Sequence, residues 1–315
     1  MSNAVLKSAG VDQVFLSEVI AGLSNAPKAL SPKWFYDQRG SQLFEQITQQ
    51  PEYYPTRTEI ELLASISAEL GDQLSDREAL IEYGSGSSRK TRLLLRALPQ
   101  LQQYLPMDVS AEFLRGAADG LSKQFPKLHV RPVVGDFNST VKLPATVQSM
   151  TRLGFFPGST IGNLPPSAAC SFLRLRREEL GRGGKLLIGV DLRKPVEVLL
   201  AAYDDSAGVT AAFNRNLLLR INRELGGDFD PDRFDHQARW NDDHGRIEMH
   251  LVSRGLQRVR IDNHCFEFAD GESIHSENSH KYRLGEFKLL ARVSGWEVVS
   301  QWTDPQQWFA IFLLG

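Results

Sequence analysis

Cysteine is nearly absent from this chain, with only Cys170 and Cys265 in 315 residues. The pair has no metal-ligand spacing and no close partner. That excludes a disulfide framework and a cysteine-based zinc site, and predicts two buried thiols in a reducing cytosol. Long apolar runs are missing as well. No stretch approaches the ~18 residues of a membrane span, and no basic segment followed by an apolar run opens the chain, so neither a membrane anchor nor a signal peptide is expected. Charge of one sign never accumulates, and the net charge is −2. A nucleic-acid footprint or an anionic-membrane patch is therefore not expected. The seven histidines show no metal spacing either, so no metal is expected. A small, roughly neutral substrate, a monomer and a cytoplasmic setting fit these absences best.

What is present is ordinary globular composition, 42% hydrophobic and 23% charged, in a chain longer than one compact ~150-residue domain needs. Up to about residue 70 the apolar spacing is helical, in "VDQVFLSEVIAGL", "SQLFEQITQQ" and "RTEIELLASISAEL". From residue 79 strand-like runs alternate with helices: "ALIEY", "QYLPMD", "LHVRPVVGDFN", "RLGFFPGST" and "GGKLLIGVDL". Such alternation predicts a parallel sheet with helices on both faces, and a ligand outside the carboxyl ends of the strands. The alternation stops after residue 195. A largely helical stretch and then antiparallel strands, "GRIEMHLVSRGLQRVRI" and "CFEFADG", follow before "WEVVSQWTD" and "WFAIFLLG" return to the sheet. Three parts are expected: an N-terminal helical segment 1–55, a main domain 56–195 with 282–315, and an insertion 196–281. The polar stretch "SIHSENSHKYRL" near the end of the insertion looks by composition like a solvated turn.

"EYGSGSSRK", from Glu82, is the most informative local motif. Gly84 and Gly86 allow a tight turn and close approach to a ligand, next to the N-terminus of a helix. The third glycine of a dinucleotide site is replaced by Arg89, which argues against NAD, and the P-loop spacing is absent. S-adenosylmethionine (SAM) fits better: it has no phosphates and needs an acid for its ribose hydroxyls. Asp108 ends the second run, and Asp136 with Phe137 follow the third, suited to an adenine amine and ring. Each also has a plainer use. Asp108 could cap a helix, Asp136 could sit in an ordinary turn, Asn163 could cap the helix after "NLPP", and Glu277 could be a solvated loop carboxylate.

Eight stretches, "PKWFYDQRGSQLFEQITQQPEYYPTRTE", "YGSGSSRKTRLLL", "DVSAEFL", "GDF", "GSTIGNLPP", "AAYDDSAGVTAAFNRNLLLRIN", "RIEMHLVS" and "IHSENSHKY", together resemble the histidine-specific N-alpha-methyltransferases of ergothioneine biosynthesis. They span the chain from about residue 31 to its end. The resemblance implies a class I SAM-dependent methyltransferase fold, a Rossmann-like α/β sheet closed by a C-terminal antiparallel hairpin, with an inserted α+β substrate-binding domain. It implies SAM held by Gly84, Lys90, Asp108, Asp136 and Phe137, with S-adenosylhomocysteine as product. The substrate carboxylate would be held by Asn163 and Tyr203. The amine would face Tyr36 and Tyr53, the catalytic pair, with the choice between Tyr53 and Tyr54 left open. The imidazole would be read by Glu277 and Ser279. The implied reaction is trimethylation of free L-histidine, through its mono- and dimethyl intermediates, to hercynine. The alternatives are another aromatic amino acid as substrate, or a catalytically silent SAM-binding protein.

Overall fold

The apolar runs after residue 79 become strands of one sheet because both of its faces are covered. The computed structural model describes residues 12–86, 88–108, 111–137, 139–140 and 143–315. Ser87 of the glycine loop, Val109 and Ser110 after the second run, and Asn138 lie outside them. In chain order the strands are β1 (Lys28–Ala29), β2 (Ala79–Tyr83), β3 (Gln103–Asp108), β4 (His129–Val130), β5 (Val133–Val134), β6 (Arg152–Phe156), β7 (Lys185–Asp191), β8 (Phe234–Asn241), β9 (Arg246–Ser253), β10 (Gln257–Ile261), β11 (His264–Phe268), β12 (Ser273–His280), β13 (Val298–Thr303) and β14 (Phe309–Leu314).

The main sheet runs β13-β14-β7-β6-β2-β3-β4, with β5 also on β3. The pairs from β4 to β7 are parallel, whereas β14 lies antiparallel to both β7 and β13. Every residue of β2 and β14 is buried, as expected where helices cover both faces. Alternation divides the strands between two cores. Ile81, Tyr83, Met107 and Phe156 pack with the helices Pro166–Leu180 and Leu284–Val293, while Leu80, Tyr104, Leu153 and Phe155 pack with Tyr54–Ser65 and Arg89–Ala97. Strand order reverses at β2, so a ligand crevice is expected beyond its carboxyl end. The run "LHVRPVV" is broken into two short strands. Pro132 lies between them and has no N–H to give the ladder, which a sheet edge tolerates.

The second body is a four-stranded sheet, β1-β12-β9-β8. It joins two distant parts of the chain: β1, from the N-terminal segment, pairs in parallel with β12 of the insertion. Asp12 caps the helix Gln13–Ser24 by accepting from Val14 and Phe15 N–H. Phe15, Val19, Leu23 and Phe35 share one core with Phe213, Leu217, Met249, Leu251 and Ile274. The N-terminal segment and the insertion thus share a core, and a boundary at 55/56 falls inside the helix Tyr54–Ser65. That helix ends at Ser65, and a second, Ser67–Gln73, follows Ile66.

Two expectations change here, and one further strand appears. "SIHSENSH" is a strand inside the small sheet, not a turn, because both its neighbours supply ladder partners. "FDHQARWN" is also a strand, β8, paired along its whole length with β9. Cys265 is exposed on β11 and Cys170 is half-buried, so neither is the buried thiol expected. The histidines also do more than linear spacing suggested. His275 lies opposite His250 across β12–β9, and with Glu248 they bring possible metal-ligating atoms within 4.8 Å of one another. Arg246 and Asn241 already bind the Glu248 carboxylate at 2.6 and 2.9 Å, charge and hydrogen bonds with which a cation would compete. No helix among the described residues is long and apolar enough to cross a membrane.

Candidate active site

One cavity of about 510 Å³ opens between the two bodies at the carboxyl ends of the main strands, a size suited to a small-molecule site. Tyr36, Tyr53, Gly84, Lys90, Asp108, Asp136, Phe137, Asn163, Tyr203, Glu277 and Ser279 all line it.

The end under β2, β3 and β5 is built by the glycine loop. Gly84 and Gly86 have φ of +74° and +47°, a region that favours glycine. The loop is tied to β3, with Gly84 N–H donating to the Met107 carbonyl at 2.9 Å and Gly86 N–H to Asp108 Oδ2 at 3.3 Å. Phe137 stacks edge-on against Phe156, its ring centroid 5.4 Å away, and leaves an apolar wall beside Gly84. The Asp108 and Asp136 carboxylates, which accept hydrogen bonds, the apolar Phe137 ring and the glycine turn fit SAM, a ligand with hydroxyls, an aromatic base and no phosphate. Lys90 lines the cavity too, but its ammonium is paired with the buried Glu59 carboxylate at 2.5 Å. Glu59 also accepts the Gly158 N–H at 2.8 Å, so this pair fixes the loop after β6.

The other end is built by β12, and a bulge decides which side chains it presents. His275 pairs with His250, yet Glu277 pairs with Met249, leaving Ser276 as the extra residue. Beyond a bulge the two-residue alternation is rephased. Glu277 and Ser279 therefore share the face of Met249 and Ile247, which turns toward the cavity; in unbroken register that face would carry Ser276. The Ser276 hydroxyl holds the bulge by donating to Asn214 Oδ1 at 2.7 Å. The same strand carries the loop with Asn163. Gly162 lies so close to β12 that a Cβ there would sit 2.7 Å from the His280 carbonyl oxygen, and His280 Nδ1 is 2.8 Å from the Gly162 carbonyl. Asn163 closes the 3-10 turn Thr160–Asn163, and Pro165, not Asn163, occupies the cap of the next helix.

Tyr36, Tyr53 and Tyr203 make an aromatic wall, with Tyr53 and Tyr203 centroids 6.3 Å apart. The side chains of Tyr53 and Tyr54 point in different directions. Tyr53 lines the cavity, whereas Tyr54 turns to the main sheet and donates to Asp191 Oδ2 at 2.7 Å. Burial, then Glu277 and neighbouring phenols, raises the Tyr36 hydroxyl well above 10. Burial, then Tyr203 and Glu277, does the same for Tyr53. Both stay neutral phenols. Burial also pushes the Glu277 carboxyl up to about 7, against the opposing pull of Lys281. Glu277 is only 9% exposed, and its carboxylate meets no hydrogen-bond donor among the described residues.

Several groups here escaped the sequence. Lys281 follows Glu277 and Ser279 at the same two-residue spacing, a signal that a strand assignment would have exposed. Its ammonium lies 2.7 Å from Asp191 Oδ2 and donates to Tyr203 and Ser279. Asp191 at the end of β7 also receives Lys194. Burial alone would raise the Asp191 carboxyl, but Lys281 and Lys194 outweigh it and hold it low. Glu82, the acid of the glycine motif, accepts from Thr91 at 2.8 Å and from Tyr104; burial pushes it up to about 8.

The fold and the sequence have counterparts. A solved S-adenosylmethionine-dependent methyltransferase from Clostridium acetobutylicum superposes with a TM-score of 0.52 at 11% identity, over 86% of this chain and 96% of that one, a likeness of fold alone. The histidine N-alpha-methyltransferase of Mycolicibacterium smegmatis is 45% identical over 94% of this chain and 93% of its own length. Ergothioneine biosynthesis protein 1 of Neurospora crassa is 31% identical over 89% of this chain, which matches 32% of that longer protein. The model of the SAM-dependent, histidine-specific methyltransferases matches residues 15–315, and this chain belongs to that family.

Proposed function

We propose that this protein transfers three methyl groups from SAM to the α-amino group of free L-histidine, giving hercynine, as the first step of ergothioneine biosynthesis. The observation that carries the choice of histidine is Glu277. A buried carboxylate without a donor, aimed into a small-molecule cavity beside a serine hydroxyl, calls for a ligand that brings an N–H. A neutral imidazole has one donor and one acceptor nitrogen, and its protonated form has two donors. Glu277 accepts from one nitrogen, and Ser279 serves the other. Ligands with an apolar ring would leave Glu277 unpaired, a strong basis for rejection.

SAM bound over Gly84, Asp108, Asp136 and Phe137 supplies an electrophilic methyl on a sulfonium centre. The chain's own task is to hold the amine in line with it, since positioning is the main source of rate for such a displacement. Tyr36 and Tyr53 suit that task. As neutral phenols they orient an amine that loses a hydrogen at each round, without the carboxylate that would favour the unreactive ammonium. Asn163 and Tyr203 take the substrate carboxylate by neutral hydrogen bonds, each worth about 1 kcal/mol net, so they act together. The substrate is a free small molecule, and the protein works as a monomer in the cytoplasm with no metal.

Incubation with SAM and each aromatic amino acid in turn, followed by mass, tests the proposal. Histidine should gain three methyl groups, with phenylalanine and tyrosine unchanged. Absence of that gain would overturn it.

A further inference from the structure

Behind the Ser279–Tyr203 side of the cavity lies a charge that is not among the cavity's lining residues. The Lys281 side chain has no solvent exposure. An ammonium has three hydrogens to donate and nothing to accept. All three are placed: Asp191 Oδ2 at 2.7 Å, Ser279 Oγ at 2.7 Å and Tyr203 Oη at 2.9 Å. Asp191 is fully buried and is held in turn by Tyr54 and Lys194. The lysine cannot swing away without leaving a buried charge unpaired.

The two hydroxyls it binds are also 2.7 Å from each other. Each has one hydrogen and two lone pairs. Both accept from Lys281, and one donates to the other. If Tyr203 donates to Ser279, Ser279 has its hydrogen left for a ligand and Tyr203 a lone pair. If Ser279 donates to Tyr203, the roles exchange. In either case the pair faces the cavity with one donor and one acceptor, never two donors.

We propose that Lys281, anchored by Asp191, is a positioning residue that locks Ser279 and Tyr203 into this one-donor, one-acceptor pair and so sets the hydrogen-bond pattern the substrate must match. This rests on the function proposed above, in which Ser279 meets the imidazole and Tyr203 the carboxylate. The two contacts are then coupled: the polarity of one dictates that of the other, and a ligand needing a donor from both is rejected. Without the lysine each hydroxyl turns freely and the coupling is lost.

The test uses the full-length protein with Lys281→Met and Lys281→Gln, measuring histidine kinetics and the calorimetric affinities for histidine and S-adenosylhomocysteine. Methionine keeps the volume and removes every donor. It should raise the KM for histidine about tenfold or more, the worth of a charged hydrogen bond, and leave S-adenosylhomocysteine affinity unchanged. Glutamine, whose amide still donates two hydrogens, should recover part of the loss. A packing role predicts the reverse order, because methionine buries no unpaired polar group. An unchanged KM in Lys281→Met, or glutamine no better than methionine, overturns the proposal. If neither variant binds S-adenosylhomocysteine, Tyr203→Phe, Ser279→Ala and their combination decide. A locked pair predicts a double loss little greater than the larger single loss, and independent contacts predict losses that multiply. A wild-type protein that binds no histidine removes the proposed function and this inference together. A wild type that binds histidine, with Lys281→Met binding it equally, removes only this one.

Discussion

Glu277 is pushed up to about 7 by burial, so it gains its proton within the working range of most enzymes. It accepts a ring N–H only when ionised. The kcat/KM for histidine should therefore fall as the pH drops below about 7, and Glu277→Gln should remove that inflection from the profile. At Tyr54 the effect is on stability. Tyr54→Phe takes a hydrogen-bond donor from the buried Asp191 and should lower stability by about 1–3 kcal/mol, read from denaturant unfolding. Glu82 carries a third residue-scale effect, with a defined sign. It keeps its proton to about 8 in the folded chain but gives it up near 4.5 when unfolded. The folded state thus binds more protons between those values, and stability contributed by this group falls as pH rises across that window. Glu82→Gln should flatten the dependence of melting temperature on pH there.

At the scale of the element, one residue decides what β12 presents. The extra Ser276 rephases the strand so that Glu277 pairs with Met249 and faces the cavity. Deleting Ser276 should remove the bulge and its hydrogen bond to Asn214 while leaving Glu277 opposite Met249 on the cavity face. Histidine kcat/KM should fall because the carboxylate loses its anchored placement, while S-adenosylhomocysteine binding, built on other strands, persists in the same calorimetric titration. The bulge also explains what could be read from the sequence. The glycine-loop end of the cavity was legible because each parallel strand ends near the end of its apolar run, so Asp108 and Asp136 could be placed at the cavity by counting. β12 was not. A run of serine, histidine, glutamate and asparagine has no apolar alternation to mark a strand, and the bulge breaks what alternation there is. Asp191 and Lys281 are 90 positions apart, and the parallel bridge of Leu192 with Tyr282 brings them side by side.

Over the whole molecule, the cavity belongs to two bodies that share side chains across its rim. The main sheet supplies the glycine loop and the acids. The small sheet supplies Glu277 and Ser279, and the N-terminal segment completes that sheet through β1 and its core through Phe15 and Phe35. The sequence pattern separated the N-terminal segment from the insertion because local periodicity cannot report a shared core formed by residues some 200 positions apart. The Asp191–Lys281 contact then ties the end of β7 to the end of β12, joining the two bodies behind the cavity. The measurement that bears most directly on this account is histidine turnover by Glu277→Ala, followed as methyl gain by mass beside the wild-type protein. The account predicts a loss of kcat/KM of roughly 10–100-fold, matching a charged hydrogen bond of about 1.5–3 kcal/mol. Turnover equal to that of the wild type would contradict it.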